Sequence, residues 1–321
     1  MDALSDVLRV AHLTGGVFLH AEFSAPWCMA TSVSPELCRP LLGSASHLIP
    51  YHYVVEGVLH VRVEGERAFV LGPGEVVLFP RNDPHLLGSD LDVPPVSNRD
   101  IMQPPRDGGL FSIRHGGNGA RARLVCGFLG GDGAHGNPVI SALPAAIRLN
   151  IEEGGGADWV RSTFRYAADE LAAGRPGSDA VLAKLSELLF VEAVRRYAET
   201  LPEGQTGWLA GLRDPHVARA LGLVHGDLRR SWTVDELGRE VGLSRSALAE
   251  RFGELIGAAP MRYLAQWRMQ VAARELRDTS ASLAEVAEAV GYESEAAFSR
   301  AFKKAFGTAP ATWRRSRKPT A

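Results

Sequence analysis

The C-terminal part of the chain repeats one pattern twice, and this repeat restricts the possible folds more than any other feature. Thr233-Val234-Asp235-Glu236-Leu237 matches Ser282-Leu283-Ala284-Glu285-Val286 at an offset of 49 residues. Beyond the following glycine the offset is 50, because the second copy has one extra residue in its turn. The further matched pairs are Val241 and Val290, Gly242 and Gly291, Ser244 and Ser294, Leu248 and Phe298, Phe252 and Phe302, Gly257 and Gly307, Pro260 and Pro310, and Tyr263 and Trp313. One supersecondary unit is therefore expected to occur twice.

Each copy has the local signals of a helix-turn-helix. In the first copy Thr233 is an N-cap residue with Glu236 three positions later, which is the pattern of a capping box. Gly242 suits the left-handed residue that ends a helix, and Ser244 caps the helix that follows. The matched residues of the second copy carry the same signals. A single pattern of this kind is usually an ordinary helical hairpin, but two copies with shared caps and glycines indicate DNA binding.

The spacing of apolar residues predicts how the two copies are joined. Leu248 and Phe252, and likewise Phe298 and Phe302, are i,i+4 pairs that face a core, so the positions between them face outwards. Pro260 begins a long helix between the copies. Five residues of that helix are expected to pack on both copies and fix their distance: Met261, Leu264, Trp267, Ala272 and Leu276.

Charge is divided unequally along the 321 residues, although the formal net charge is only −2. Residues 205–321 hold 18 of the 35 Lys and Arg and 13 of the 37 Asp and Glu, a net charge of +5. The preceding residues hold the other 17 basic and 24 acidic groups, a net charge of −7. After Glu295 every charged residue is basic: Arg300, Lys303, Lys304, Arg314, Arg315, Arg317 and Lys318. This asymmetry favours a nucleic-acid-binding C-terminal domain, with a solvated charged surface as the alternative.

The first half of the chain has the texture of a β-protein. Short apolar runs alternate with Gly and Pro, which is typical of a sandwich or barrel. The expected strands are 17–19, 51–55, 59–63, 68–71, 76–79 and 124–128. Residues 89–109 hold four prolines and predict a long mobile loop.

Helical periodicity appears at residues 3–12, and again from about residue 157 onwards. Amphipathic helices are expected over 159–173 and 179–200, the second with Leu182, Leu185, Leu189, Val191 and Val194 on its apolar face. The segment 201–204 then breaks the pattern. The chain is accordingly divided into residues 1–150, a helical connector at 151–204 and a third part at 205–321.

The three cysteines, Cys28, Cys38 and Cys126, are an odd number without a CxxC pair, and they are expected to be reduced thiols. The N-terminal residues lack the apolar segment of a signal peptide, and no apolar run reaches the length of a membrane helix. The expected location is the cytoplasm, with no membrane partner.

Residues 226–316 resemble the DNA-binding domain of AraC-type transcription regulators (the AraC/XylS type). The segment Val290-Gly291-Tyr292 through Lys303-Lys304, with Phe306-Gly307-Thr308-Ala309-Pro310, matches that family's pattern. The N-terminal half resembles the cupin sensor domain of one branch of the family. The resemblance implies an α+β protein with an N-terminal cupin-like β-barrel, a helical connector and a C-terminal all-α double helix-turn-helix.

The resemblance also places DNA contacts early in the second helix of each copy. The implied set is Arg245, Ser246, Ala249, Glu250, Arg251, Glu295, Ala296, Ser299, Arg300, Lys303 and Lys304. Arg300 suits bidentate recognition of guanine, and Glu250 and Glu295 suit cytosine or the rejection of other bases. The remaining cations suit phosphate. For any single residue the alternative is a solvated surface charge.

Two segments resemble cupin motifs. Gly74 to His85 fits the second motif, with Pro80 in place and Asn82 where the motif has Gly; Asn still permits a left-handed turn. The segment from Tyr51 to Gly57 resembles the end of the first motif. There Pro50 occupies the position of the motif's Glu, and residues 43–46 contain no His for its two His positions. The usual metal site therefore lacks three of its four ligands, which argues against a metal-dependent enzyme.

His52 and His85, with Cys126, remain candidates for a different, zinc-like site. The preferred interpretation is that the histidines line an effector pocket or are satisfied core residues, so no cofactor is required. The predicted pocket residues are His52, Tyr53, Phe79 and His85, and Phe18, Leu48 and Val55 are further apolar candidates. A small, partly apolar effector suits such a lining.

Together these observations predict a cytoplasmic, dimeric regulator of transcription that binds double-stranded DNA and an unidentified small molecule. By resemblance an activator is preferred over a repressor, which implies contact with RNA polymerase. Two rival functions stay open. One is a metal-dependent cupin enzyme fused to a DNA-binding domain, and the other is a constitutive DNA binder whose cupin only dimerises.

Overall fold

The computed structural model describes residues 3–11, 13–31, 47–103, 111–131, 140, 142–150, 162–163, 166, 170, 177–202 and 204–317. These residues form two compact units. The barrel unit contains the described residues of 13–131 and 143–199, and the helical unit contains those of 3–11, 140–142 and 200–317. Within the described parts of the chain, no helix is long and apolar enough to cross a membrane.

The barrel unit is built from two β-sheets with twelve described strands. The strands are β1 Leu13–Ser24, β2 Cys28–Thr31, β3 His47–Glu56, β4 Leu59–Val63, β5 Phe69–Leu71, β6 Glu75–Leu78, β7 His85–Gly88, β8 Val96–Ser97, β9 Met102–Gln103, β10 Phe111–Gly116, β11 Arg121–Gly131 and β12 Ile147–Asn150. One sheet has the order β12-β6-β3-β11-β1-β10-β9 and the other the order β5-β4-β7-β2-β8. This arrangement confirms the predicted cupin-like fold.

Side chains from both sheets form one apolar core. Phe23 and Leu124 of the seven-stranded sheet share this cluster with Met29, Val61 and Leu87 of the five-stranded sheet. Successive residues of a strand face opposite sides of its sheet, so alternate residues supply the core. Burying these side chains removes apolar surface from water and stabilises the unit.

Two tight turns follow directly from their sequences. Asn82 has φ of 58°, the left-handed conformation predicted where the cupin motif has Gly. Gly57 has φ of 86°, and a Cβ there would lie 2.9 Å from the Cα of Ala122. Gly57 is thus required both by its backbone conformation and by the close approach of β11.

Helix α2, Asn98–Ile101, follows β8, and helix α3, Ser178–Thr200, packs within the barrel unit. Phe190, Ala193 and Val194 of α3 are fully buried. The Tyr51 hydroxyl of β3 lies 3.3 Å from the Ser186 hydroxyl of α3. The apolar face of α3 differs in part from the predicted one. Phe190 and Ala193, which were not predicted, are buried, whereas Val191, which was predicted, is only partly buried. The side chain of Leu182 and most of 159–173 lie outside the described residues.

The helical unit contains nine described helices. They are α1 Ala3–Ala11, α4 Trp208–Gly211, α5 Pro215–Gly226, α6 Val234–Val241, α7 Arg245–Ile256, α8 Pro260–Asp278, α9 Leu283–Ala289, α10 Glu295–Phe306 and α11 Pro310–Arg317. Helix α1 packs on α5 and α8 within the helical unit. Its apolar face is visible in the sequence, but the partner of that face is not. The predicted domain boundaries stay a prediction.

The long helix α8 packs on both copies of the repeat. Its C-terminal half contributes Met269, Ala272 and Leu276 to a core with Phe298 and Phe302 of the second copy. Its N-terminal half buries three residues beside the first copy: Tyr263, Leu264 and Trp267. Of the residues predicted for this role, only Met261 is partly exposed.

The expected mobile loop at 89–109 was wrong for residues 96–103, whereas residues 89–95 contain no helix or strand. Residues 96–103 form β8, α2 and β9. Strand β8 pairs with β2, and strand β9 pairs with β10. Proline content concealed these short elements because their pairing partners are distant in sequence. Strands β2, β7, β10 and β12 were also not predicted.

Candidate functional site

The first copy of the repeat forms a helix-turn-helix from α6 and α7. The Thr233 hydroxyl accepts from the Glu236 amide at 3.2 Å, and the Glu236 carboxylate accepts from the Thr233 amide at 2.9 Å. Gly242 ends α6 with φ of 78°, and the Ser244 hydroxyl caps α7 by accepting from the Ala247 amide. The capping box and both turn signals are therefore confirmed.

The second copy repeats this geometry in α9 and α10. The Glu285 carboxylate accepts from the Ser282 amide at 2.7 Å, and the Ser294 hydroxyl caps α10. Gly291 has φ of 79°, and a Cβ there would lie 2.6 Å from the guanidinium of Arg268 and would also strike the Leu228 carbonyl. The guanidinium donates to the Leu228 carbonyl at 2.7 Å, so α8 also supports the second turn.

Buried aromatic and aliphatic residues determine which faces of α7 and α10 are exposed. Leu248 and Phe252 of α7, and Phe298 and Phe302 of α10, are fully buried. All of the residues assigned to DNA contact are consequently exposed or partly exposed: Arg245, Ser246, Ala249, Glu250, Arg251, Glu295, Ala296, Ser299, Arg300, Lys303 and Lys304. Their roles in DNA contact stay a prediction.

The two copies differ in how their cations are engaged. Arg251 donates to the Asp214 carboxylate at 2.5 Å, and Arg245 lies 3.7 Å from the carboxylate of Asp235. Arg300, Lys303 and Lys304 of α10 form no ion pair with any part of the chain that the structure describes. The exposed cations of α10 are thus available to an outside anion, whereas those of α7 are partly neutralised.

A hydrogen-bonded chain at the start of α8 was not predicted from the sequence. The Trp208 indole donates to the Tyr263 hydroxyl at 2.7 Å, and that hydroxyl lies 2.8 Å from Nε2 of His225. Burial lowers the pKa of His225 to about 3, so its ring is neutral and accepts the Tyr263 proton. Three polar side chains separated in sequence carry no pattern that would have shown this contact.

The barrel unit holds a second candidate site around His52 and His85. Their Nε2 atoms lie 3.2 Å apart, and Nδ1 of His85 lies 2.9 Å from the Asp83 carbonyl oxygen. The Phe79 ring stacks on His85 with 3.6 Å between centroids. Burial lowers the pKa of His85 to about 4 and holds the pKa of His52 well below 6.5, assisted by the proximity of His85. Both rings are therefore neutral at pH 7.

A cavity of about 30 Å³ lies between the sheets beside His52. Its polar lining comes from Thr31, His52 and Asn98, and Cys126 and two methionines, Met29 and Met102, also line it. Thr31 and Asn98 were missed because Thr31 ends an unpredicted strand and Asn98 lies within the segment 89–109 that was predicted as a loop. A more open depression of about 450 Å³ involves His85 and the charged residues Arg62, Glu64 and Glu66.

The structure brings His52, Phe79 and His85 together, but only one predicted pocket residue lines the cavity beside them. Of these, His52 lines the cavity, whereas Tyr53, Phe79 and His85 do not. The side chain of Phe18 lies outside the described residues. Leu48 and Val55 do not line the cavity either.

The zinc-like trio is not assembled as a ligand set. Cys126 lies opposite His52 on β11, and burial raises the pKa of its thiol. Among the described residues no three His, Cys, Asp or Glu side chains are grouped to hold a metal ion. Cys28 and Cys126 are buried free thiols, as expected, and Cys38 lies outside the described residues.

Comparison with known proteins identifies both halves of the chain. The family model for Cupin matches residues 2–199, and the model for a helix-turn-helix domain matches residues 237–316. An AraC-like transcription regulator of Streptomyces lividans is 34% identical over 84% of this chain and 88% of its own length. The HTH-type transcriptional regulator AlkR of Acinetobacter baylyi is 26% identical over 98% of this chain and 99% of its own length.

A solved structure is similar to part of the chain. The C-terminal domain of AraT, a response regulator from Geobacillus stearothermophilus, is 31% identical, with a TM-score of 0.32. The match covers 32% of this chain and 87% of that domain.

Proposed function

This chain belongs to the AraC family of transcription regulators, and from that membership we propose that both helix-turn-helix units bind one operator under the control of an effector in the barrel. The observation that carries this proposal is the repetition of one capped geometry around α8. Helices α7 and α10 each bury both residues of their i,i+4 pair, and the residues between those two positions are exposed or partly exposed. Two such faces on one shared helix suit successive major-groove segments about 34 Å apart.

The cations divide between two tasks in this proposal. Arg300 is exposed and has no described ion-pair partner, so it is assigned to guanine recognition in the major groove. Lys303 and Lys304 lie one turn further along α10 and are assigned to phosphates, which position the helix without specifying sequence. Arg251 is held by Asp214, so we assign it chiefly to positioning α7.

Residues 1–150, 151–204 and 205–321 are the proposed sensor, connector and DNA-binding parts. The connector includes α3, where Val181 and Leu188 are exposed apolar residues. They lie seven positions apart and so share one helix face, which supports a homodimer contact. An effector acts only if it binds the DNA-competent and incompetent arrangements with different affinities. Activation, with contact to RNA polymerase, is preferred.

We assign no catalysis to the barrel. Pro50 stands at the position of the metal-binding Glu of the cupin motif, and residues 43–46 lack its histidines. A proline side chain has no donor atom for a metal. The relatives are named as regulators, and the chain aligns with nearly their full length.

Genome-wide mapping of bound DNA tests the proposal most broadly. Crosslinked full-length protein should enrich discrete sites that share one two-part sequence element, and the genes beside them should indicate the effector. A matched variant with Arg300→Ala and Lys303→Ala should lose this enrichment at unchanged protein level. Uniform, sequence-independent enrichment by the unmodified protein would contradict specific binding.

A further inference from the structure

Three residues that line one cavity of the barrel unit each carry a buried polar atom with no hydrogen-bond partner among the described residues. These atoms are Oγ1 of Thr31, Nδ1 of His52 and Oδ1 of Asn98, and the three residues that carry them all line the cavity beside His52. Thr31 is 5% exposed and His52 is 4% exposed, so water reaches neither side chain freely. A buried polar group without a partner costs free energy. Three of them around one space indicate a site that a ligand completes.

The hydrogen bonds of the two histidines define what His52 offers to this cavity. The Asp83 carbonyl only accepts, so Nδ1 of His85 carries the proton and Nε2 of His85 accepts. Nε2 of His52 must therefore donate across the 3.2 Å contact. In a neutral imidazole the other nitrogen then has no proton, so Nδ1 of His52, a residue that lines the cavity, carries a bare lone pair without a donor among the described residues.

The rest of the lining limits the class of ligand. Asn98 adds an acceptor oxygen, and the Thr31 hydroxyl can both donate and accept. No described residue that lines the cavity carries a charge, since burial keeps His52 neutral and the Cys126 thiol protonated. A carboxylate or ammonium would therefore lose its hydration without gaining a counter-charge.

We propose that this cavity binds the hydroxyl of a small, uncharged, mainly apolar alcohol or phenol, whose O–H donates to Nδ1 of His52. The hydroxyl oxygen in turn accepts from Thr31, and the apolar body lies against Met29 and Met102. The volume of about 30 Å³ admits the hydroxyl and the atoms next to it. Methionine side chains are flexible enough to admit the remainder. This inference rests on the proposed function, because it names the class of effector.

The five methionines of the chain provide a direct assay. Full-length protein with ¹³C-labelled methionine methyl groups is titrated with phenol, anisole and benzoate, which share a ring but differ in the polar group. Phenol should shift the signals of Met29 and Met102 and leave those of Met261 and Met269 in place. Anisole, which cannot donate, and benzoate, which is charged, should bind at least about tenfold more weakly.

Three variants assign the polar contacts. Thr31→Val keeps the shape but removes the hydroxyl, and should weaken phenol binding about three- to tenfold. His52→Gln moves the amide away from the Nδ1 position and should weaken it similarly, whereas His52→Asn places an acceptor oxygen near that position and should retain more affinity. Thr163→Val, at a buried threonine of the same unit that does not line the cavity, is the control.

Several results would overturn the assignment of this site. They are equal shifts with anisole, preferential binding of benzoate, shifts at all methionines, or no shift with phenol, which would leave the cavity to ordered water. Operator affinity measured in the same samples separates this inference from the proposed function. Phenol binding at Met29 and Met102 without a change in operator affinity supports the site but contradicts effector control. Operator control by a ligand bound elsewhere contradicts the site alone.

Discussion

The carboxylate of Asp214 links α7 to the N-terminus of α5 through Arg251. Its Oδ1 accepts from the amides of His216 and Val217 at 3.1 and 2.9 Å, while Oδ2 accepts from the Arg251 guanidinium at 2.5 Å. One side chain therefore caps α5 and anchors α7. Burial would raise the pKa of Asp214, but the amide and guanidinium donors outweigh it and lower that pKa.

Replacing Asp214 should separate its two tasks. Asp214→Ala removes both the cap and the ion pair and should lower the free energy of unfolding by about 1–2 kcal/mol. Asp214→Asn retains a capping oxygen and loses only the charge, so its cost should stay below about 1 kcal/mol for a pair whose arginine is half exposed. Urea unfolding at pH 7 measures both. Equal losses in the two variants would show that the cap contributes nothing.

Arg300→Ala should weaken specific DNA binding and relax preference at one base pair. The loss of a bidentate guanine contact corresponds to about 1–3 kcal/mol of discrimination. Selection of bound duplexes from a random library measures it, with Arg121→Ala in the barrel unit as the comparison. A variant that selects the same sequence as the unmodified protein would remove Arg300 from base recognition.

Lys303→Ala should change salt dependence rather than sequence preference. A phosphate contact releases condensed counterions, so its loss should reduce the slope of log K against log salt concentration by about one. Titrations of one operator at several salt concentrations provide this slope. If Lys303 is only a solvated surface charge, the slope will stay as it is.

The buried histidine pair should make the barrel unit less stable in acid. The pKa of His85 is lowered to about 4 in the fold from an ordinary value of 6.5, so between these values the unfolded chain binds more protons than the folded chain. The part of the free energy of unfolding that depends on a neutral His85 is fully present above pH 6.5 and is lost as the pH falls towards 4. His52, whose pKa is also lowered, acts in the same direction.

His85→Asn should reduce the pH dependence of unfolding in this window by up to about 1.4 kcal/mol per pH unit. Calorimetric unfolding of the full chain at several pH values measures the slope. The comparison variant is His115→Asn, on β10, where the side chain is partly exposed. An unchanged slope in His85→Asn would mean that His85 is already protonated in the fold.

The helical unit was largely predictable because its signals are local. Caps, left-handed glycines and i,i+4 pairs act within a few residues, and the repeat displays each signal twice. Gly242 and Ser244 thus took the structures expected of them. The engagement of Arg251 could not be predicted, because Asp214 lies 37 residues away.

The barrel was less predictable because its contacts are distant in sequence. The strand pattern identified β3, β4 and β11 but not β10. Strand β10 pairs in parallel with β1, although most of the strands of the unit lie between the two in sequence. His52 and His85 were both singled out by motif, yet no local pattern indicates that Thr31 and Asn98 join His52 around one cavity. Polar atoms converge there through tertiary packing alone.

Protection of a selected operator by the full-length protein tests the central claim most directly. The two helix-turn-helix units, which both pack on α8, should protect two major-groove segments on the same face of the duplex, about one helical turn apart. The pair of variants Arg300→Ala and Ser246→Ala should each weaken a different segment. Protection of a single segment, or protection without any selected sequence, would contradict a regulator that reads DNA with both units.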